Sequence, residues 1–408
     1  MRYNENYMER ITVVLGRLTR RGTQRKGGFL QLFISKRLIQ GLATAMMGMF
    51  VPIFLYETTG LEFWIVGLFY AAVSVGYALF LIPGMRITNK LGFSKTLALG
   101  AVFSVVQFVI LYFADEINIW HLLGPLVVAM VGFRVFHWVP YHVDFTAFTK
   151  GGERGRDVSL MFATIAFMGM LGPILAGYIV QNSGYEVLFA IGIVLLTAAG
   201  VSYLFVPAVE EQFTWTYKET LQHLFSPDFR NVLVGEMANG AEVIVNLIAW
   251  PIFLYEVLNG NMLEIGALST VIVGVTIVVQ LFVGKHIDAK GNSKIQTLKR
   301  GSILYAIGWI FKIFVFSVTQ IFFVGLYHNI TKIFIKTPYS AILYDMSGEQ
   351  GRYVDEFTVM REMASHIGRA IALGVMVLLT FYLSIEWTFI IGALASLAVN
   401  AIYHAHHG

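Results

Sequence analysis

The chain has 408 residues, of which 57% are hydrophobic and only 13% charged, and it holds no cysteine. Soluble domains carry about 25% charged residues, so a water-soluble globule is excluded, and disulfide and thiol chemistry are excluded with it. The net charge of +4 suits basic loops at an anionic lipid face better than a nucleic-acid surface.

Residues 1–28 are polar and basic, with Arg10, Arg17, Arg20, Arg21, Arg25 and Lys26. They predict a cytosolic tail, with an amphipathic surface helix over Met8 to Leu18. Apolar runs of membrane-crossing length then follow one another. The first half (29–207) gives spans over 30–56, 63–84, 95–114, 119–145, 158–181 and 186–206. A polar cytosolic linker is expected over 208–228. The second half (229–404) gives 230–255, 264–284, 299–318, 320–344, 357–381 and 386–404, and 405–408 form a short tail. The expectation is an all-α integral membrane protein of twelve spans.

Alternate connections hold Arg86, Lys90 and Lys95, then Lys150, Arg154 and Arg156, then Lys285, Lys290, Lys294, Lys299 and Arg300. The opposite connections hold Glu57, Glu62, Asp115, Glu116, Glu186, Glu256, Glu264 and Glu386, with no Lys or Arg. By the positive-inside rule both termini are cytoplasmic, in a multi-pass protein of the cell membrane.

The halves repeat each other. PIFLYE runs from Pro52 to Glu57 and again from Pro251 to Glu256. Gly92, Ser94 and Lys95 are answered by Gly291, Ser293 and Lys294, and Pro140-Tyr141 by Pro338-Tyr339. A parallel repeat in a hydrophobic chain points to a secondary transporter built of two six-helix bundles about a pseudo-twofold axis.

Six plus six spans with a central linker resemble the major facilitator superfamily over residues 29–404. That family carries a G-x-x-x-D-R-x-G-R-[RK] loop between the second and third spans of each half. The second half here has Gly284, Asp288 and Gly291 in place without the arginines, and the first half has Asn89 for the Asp. The fourth span, with Gly132-Phe-Arg134, Pro140-Tyr141, Asp144 and Arg154-Gly155, also resembles the family pattern. Gly172-Pro173 with Ala176-Gly177 looks like an antiporter element of the family; the plainer alternative is a small-residue helix contact. The resemblance implies alternating access, with Gly284, Asp288, Gly291, Asp144, Arg154, Gly172, Pro173 and Arg369 in gating roles. Arg369 is alternatively a substrate contact. The first, fourth, seventh and tenth spans would line the cavity.

A charge at mid-membrane costs about 2.5–3.5 kcal/mol, so it requires a partner or a role. On the fourth span Arg134, His137 and Tyr141 share one face. On the seventh, Asn239, Glu242 and Asn246 do. The tenth brings His328, Asn329, Lys332 and Lys336, and the first adds Gln40, Thr44 and Met47. Arg134 and Lys332 correspond across the repeat and form a two-cation clamp for an anionic group. Glu242 is the proton-coupling candidate, since burial favours a neutral carboxyl unless a cation holds it ionised. Plainer readings compete with these. Arg134 and Glu242 would be a permanent pair, His137 and His328 helix glue, and Lys312 and Lys336 snorkelling cations. Trp138 and Trp250 would wall the cavity or simply pack.

There is no phosphate loop, no H-E-x-x-H and no G-x-S-x-G, so direct ATP drive, a zinc protease and an esterase are not indicated. His404, His406 and His407 form a weak metal tract, and neither metal nor cofactor is expected. The reading is a monomeric secondary transporter, not an enzyme. It moves a small anionic or amphoteric solute, coupled to H+. Proton-coupled efflux of hydrophobic or cationic drugs is the alternative. An enzyme on Asp144 and His142 lacks a third residue, and a sensor lacks an added domain.

Overall fold

The computed structural model describes residues 33–148, 154–206, 213–287, 294–349 and 354–405. Within them the chain is helical almost throughout, as a chain in lipid must be to satisfy its own backbone. The helices are α1 (Gly41–Met47), α2 (Phe50–Thr58), α3 (Phe63–Leu91), α4 (Phe93–Tyr112), α5 (Ile119–Phe148) and α6 (Arg154–Tyr203), then α7 (Tyr217–Leu224) in the linker. The second half brings α8 (Arg230–Ile244), α9 (Trp250–Val257), α10 (Met262–Ile287), α11 (Lys294–Ile313), α12 (Val318–Glu349), α13 (Val354–Thr380) and α14 (Phe389–Ala398). Wide π turns precede α1 at Phe33–Gln40 and join α8 to α9 at Val245–Ala249.

Among the described residues eight helices are long and apolar enough to cross a membrane, or nine if the bent pair α1 and α2 is one span. The sequence predicted twelve. Two predicted spans lie in the single helix α6, interrupted where Gly184 takes φ +82°. Glycine accepts that backbone freely. The spans predicted at 299–318 and 320–344 are helical but too polar to qualify. Lys299, Arg300 and Lys312 lie in α11, and Gln320, His328, Asn329 and Lys332 in α12. Outward faces carry large bare apolar side chains such as Phe80, Val128, Val194, Phe323 and Leu394. Water would not tolerate that surface and lipid does, so the protein is a multi-pass membrane protein.

The halves meet along α6 against α10 and α3 against α13. With no hydrophobic force between helices in lipid, close packing must supply the contact. A Cβ on Gly177 would lie 2.3 Å from the Met262 carbonyl oxygen, and one on Gly266 2.3 Å from that of Pro173. Gly172 meets the Ala45 backbone in the same way. Gly172 and Pro173, expected in gating, are thus buried in helix crossings.

In the linker, Thr216 and Glu219 close a capping box at the start of α7. Hydrogen bonds from Thr216 hold the Glu219 carboxyl below its ordinary range.

Gly177→Val should push α6 off α10 and cost about 1–3 kcal/mol. A thermal melt of the detergent-purified protein reads this as a lowered midpoint. Gly124→Ala, which meets open space, should leave the midpoint in place.

Candidate functional site

A cavity of about 390 Å³ lies between the halves. The first half contributes Gln40, Thr44, Tyr70, Gln107, Arg134 and Trp138, and the second contributes Val243, Leu247, Glu362, His366 and Arg369. The last three recur at i, i+4 and i+7 on α13, so one helix face carries all three. Tyr77 of α3 donates to Glu362 Oε2 at 3.2 Å, and its ring lies 4.0 Å from that of His366. Arg134 interacts electrostatically with Arg369, Tyr70, Tyr77 and Glu362. Neither guanidinium has a carboxylate within 4.0 Å among the described residues, and Arg369 Nε is buried without a hydrogen-bond partner. Two cations and one lightly held carboxylate therefore face one cavity. Such a surface suits a ligand with an acidic group, and with an amine if it carries one.

A second cluster lies within the second half. Lys336 Nζ is 2.9 Å from Glu242 Oε2 and donates to Asn239 Oδ1 at 2.5 Å. Lys332 Nζ lies 3.7 Å from Glu242 Oε1, and Tyr305 donates to that oxygen at 2.5 Å. The Glu242 side chain is 2% exposed while both lysines are 31% exposed. Nearby, Arg361 Nε donates to Glu236 Oε1 at 2.8 Å. The cluster is a buried carboxylate held by two half-buried ammoniums.

These positions revise several expectations. Arg134 and Glu242 are not paired; Glu242 belongs to α12 lysines and Arg134 to the cavity. Arg134 and Lys332 do not share that cavity wall. Lys336 is held inward by Glu242 and Asn239 and does not snorkel. Lys312 does not snorkel either. It is 1% exposed, with Nζ 3.9 Å from the Trp250 ring centre and 4.1 Å from that of Trp309. Two tryptophan faces offer a desolvated ammonium about 2 kcal/mol or more each, nearer than the headgroups. Trp250 holds this lysine, while Trp138 does wall the cavity.

His137 is buried among the rings of Phe133, Tyr141 and Tyr203, which joins α5 to α6. His328 is buried against Tyr305 and Trp309, with both ring nitrogens unpartnered. Asn246 lies inside the π turn that follows Glu242, which shifts it from the face expected by helical spacing. Asn329 sits half-buried on α12. Arg369 joins the cavity wall. Asp288 and Gly291 lie outside the described residues. Asp144, Arg154 and Gly284 are in helices, but their side-chain surroundings lie outside the description. Glu362 and His366 were missed. Their signal was present in the eleventh span, as polar residues spaced i, i+4, i+7 with Arg369.

Hydrogen bonds tie the halves near both faces. At the acidic connections, Tyr56 donates to Glu256 of the other half at 2.5 Å, and Tyr185 donates to Glu57 within the first half at 2.6 Å. At the other, Asn89 Nδ2 donates to the Phe213 carbonyl at 2.6 Å, and Phe213 N–H to Asn89 Oδ1 at 3.1 Å. Glu356 accepts from the N–H and hydroxyl of the next residue, Thr214, at 3.0 and 2.7 Å. An amide can both donate and accept in that way, and an ionised carboxylate cannot. This accounts for asparagine where the family pattern has aspartate.

Residues 37–238 match the family model of the Major Facilitator Superfamily. The uncharacterized protein YqgE of Bacillus subtilis (strain 168) is 24% identical over 378 residues, 90% of this chain and 85% of that protein. A POT family transporter solved in complex with 5-aminolevulinic acid superposes with a TM-score of 0.66 at 11% identity, covering 92% of this chain and 95% of the other. A peptide transporter POT in complex with sulfate gives 0.67 at 11% identity, with 93% and 94% covered. The nucleoside transporter NupG gives 0.63 at 13% identity, with 93% and 99% covered. The fold is that of these solved transporters, and the neighbours are transporters, not enzymes.

Asn89→Asp should remove the bond to the Phe213 carbonyl and set a carboxylate against that oxygen, a loss of about 1–3 kcal/mol. Limited trypsin digestion of the folded protein should then cut the linker at Lys218 about tenfold faster or more.

Proposed function

We propose that this chain, which shares the major facilitator fold, is a secondary active transporter in the cell membrane, with both termini cytoplasmic. Two bundles of six spans, 29–207 and 229–404, rock about the cavity between them, and the linker 208–228 joins them. The solute is small and anionic or amphoteric. The observation that carries this is the pair of guanidiniums, Arg134 and Arg369, facing one cavity with no bridging carboxylate among the described residues. Bidentate guanidinium contacts suit a carboxylate, phosphate or phosphonate. Glu362, held by one tyrosine hydroxyl, is the natural partner of an amine on the same solute.

Protons enter through Glu242. Protonating it would remove the charge that holds Lys336 and Lys332, leaving two ammoniums at mid-protein in need of an anion. Proton and anionic solute then favour each other's binding, and by linkage the effect is reciprocal. The apolar part of the wall, with Met47, Phe108, Met130 and Leu196, favours a second reading, proton-coupled efflux of hydrophobic or cationic drugs.

Proteoliposomes with an imposed pH gradient, an internal pH dye and a panel of organic anions, amino-acid derivatives and cationic dyes test both readings. Wild-type protein should move protons with acidic or amphoteric solutes. Glu242→Gln should abolish solute-dependent proton movement. Arg134→Ala should cut transport about tenfold or more, the loss of a charge-assisted contact of about 1.5–3 kcal/mol. Proton movement with cationic dyes alone would establish the efflux reading instead.

A further inference from the structure

The charges on the cavity wall do not balance. Among the described lining residues, Arg134 comes from the first half, and Glu362 and Arg369 come from the second. The other polar groups that the first half contributes, among them Gln40, Thr44, Tyr70 and Gln107, are neutral. Two guanidiniums therefore face one carboxylate.

These charges do not cancel one another within the wall. Glu362 and Arg369 are seven residues apart on α13, about 10.5 Å of helical rise. Ion pairs along a helix form between residues three or four apart. Those positions before Arg369 are His366 and Ser365, and the same two residues follow Glu362 at that spacing. Neither is acidic or a guanidinium. The nearby carboxylates belong to other cations. Glu236 accepts from Arg361 at 2.8 Å, and Glu242 lies 2.9 Å from Lys336 and 3.7 Å from Lys332. Within the described residues Glu362 accepts one hydrogen bond, from Tyr77 at 3.2 Å, although an ionised carboxylate has about four acceptor sites. Arg369 Nε and His366 Nδ1 are both buried without a hydrogen-bond partner, and His366 is 1% exposed. Buried polar atoms are rarely left so. The two residues are three apart and share a helix face, so one stretch of wall is both cationic and unsatisfied.

We propose that the solute carries two acidic charges and one amine, leaving one net negative charge: an amino dicarboxylate, or an amine that bears a phosphate or phosphonate. The acidic charges go to Arg134 and to Arg369 with His366 beside it, and the ammonium goes to Glu362. Other charge types leave a wall group bare. A simple amino acid leaves one guanidinium unmatched. A dicarboxylate without an amine leaves Glu362 unmatched, and a monocarboxylate leaves Glu362 and one guanidinium. Uncompensated charge away from water is costly, so the cavity selects by charge count before it selects by shape. The proposal rests on the reading of this cavity as the solute site.

Binding to the detergent-purified protein, followed by isothermal titration calorimetry, tests the charge count without requiring transport. L-Glutamate is compared with γ-aminobutyrate, which lacks one carboxylate, and with glutarate, which lacks the amine. O-Phosphoethanolamine is compared with taurine, whose sulfonate carries a single charge, and with ethyl phosphate, which lacks the amine. In one of the two sets the parent should bind about tenfold or more tightly than both of its relatives, the effect of losing one charge-assisted contact. The set that shows the gap tells two carboxylates from one phosphate. In Glu362→Gln the advantage of the amine should vanish, and in Arg369→Gln the advantage of the second acidic charge should vanish. A thermal melt confirms that each variant is folded, and if Arg369→Gln is not, Arg134→Gln replaces it with the same expectation. Equal binding of parent and singly acidic relative in both sets overturns the charge count and leaves the anionic-solute reading standing. Equal binding of parent and amine-free relative in both sets overturns the role of Glu362. Binding by none of the acids overturns the charge count and the anionic-solute reading together.

Discussion

Charge inside a low-dielectric protein is the constraint on which the rest depends. An ammonium or carboxylate away from water needs a partner, a ring face or a reason to be there. Glu242 has Lys336, Lys332 and Tyr305; Glu236 has Arg361; Lys312 has Trp250 and Trp309. Against that background Arg134 and Arg369 stand apart. Among the described residues they share a cavity without a direct carboxylate bridge, and the proposed anionic solute rests on that deficit.

The architecture arranges these charges through helix contacts that tolerate almost no side chain. Glycines at the α6–α10 crossing bring two backbones together, so the bundles touch along a narrow seam. The second seam, α3 with α13, carries functional groups. Tyr77 from one half holds Glu362 from the other, directly on the cavity wall. Under the proposed transport reading, motion between the halves at this seam would change how a cavity carboxylate is held, and solute binding would be coupled to bundle position there.

Much of the fold was legible because lipid imposes one rule everywhere. Apolar runs became helices, and Gly184 fell in the gap predicted between two spans. Polarity hid two others, since α11 and α12 carry charges that find partners inside the protein and so fail any test based on apolar length alone. The site was legible residue by residue but not as a set. Arg134, Glu242 and Lys332 were visible as costly charges, yet which would pair depended on helix rotation that no single sequence displays. Lys336 and Lys312 were judged by depth, when a carboxylate and two indole rings decided the matter. Asn246 was misplaced by a π turn, which shifts a helical face and whose trace in the sequence is Pro251. Glu362 and His366 were readable by their spacing but lay on a span not expected to face the cavity.

The linker has a mechanical consequence. Phe213 is gripped by Asn89 from the first half, and Thr214, its immediate neighbour, by Glu356 from the second. Adjacent Cα atoms are about 3.8 Å apart and cannot stretch. The two grips thus work as a tether of fixed length between the basic-side ends of the bundles. Those ends cannot drift apart by degrees, because the tether stays taut until one grip lets go. Separation at that face is therefore stepwise, with a threshold set by a few hydrogen bonds on a single peptide unit.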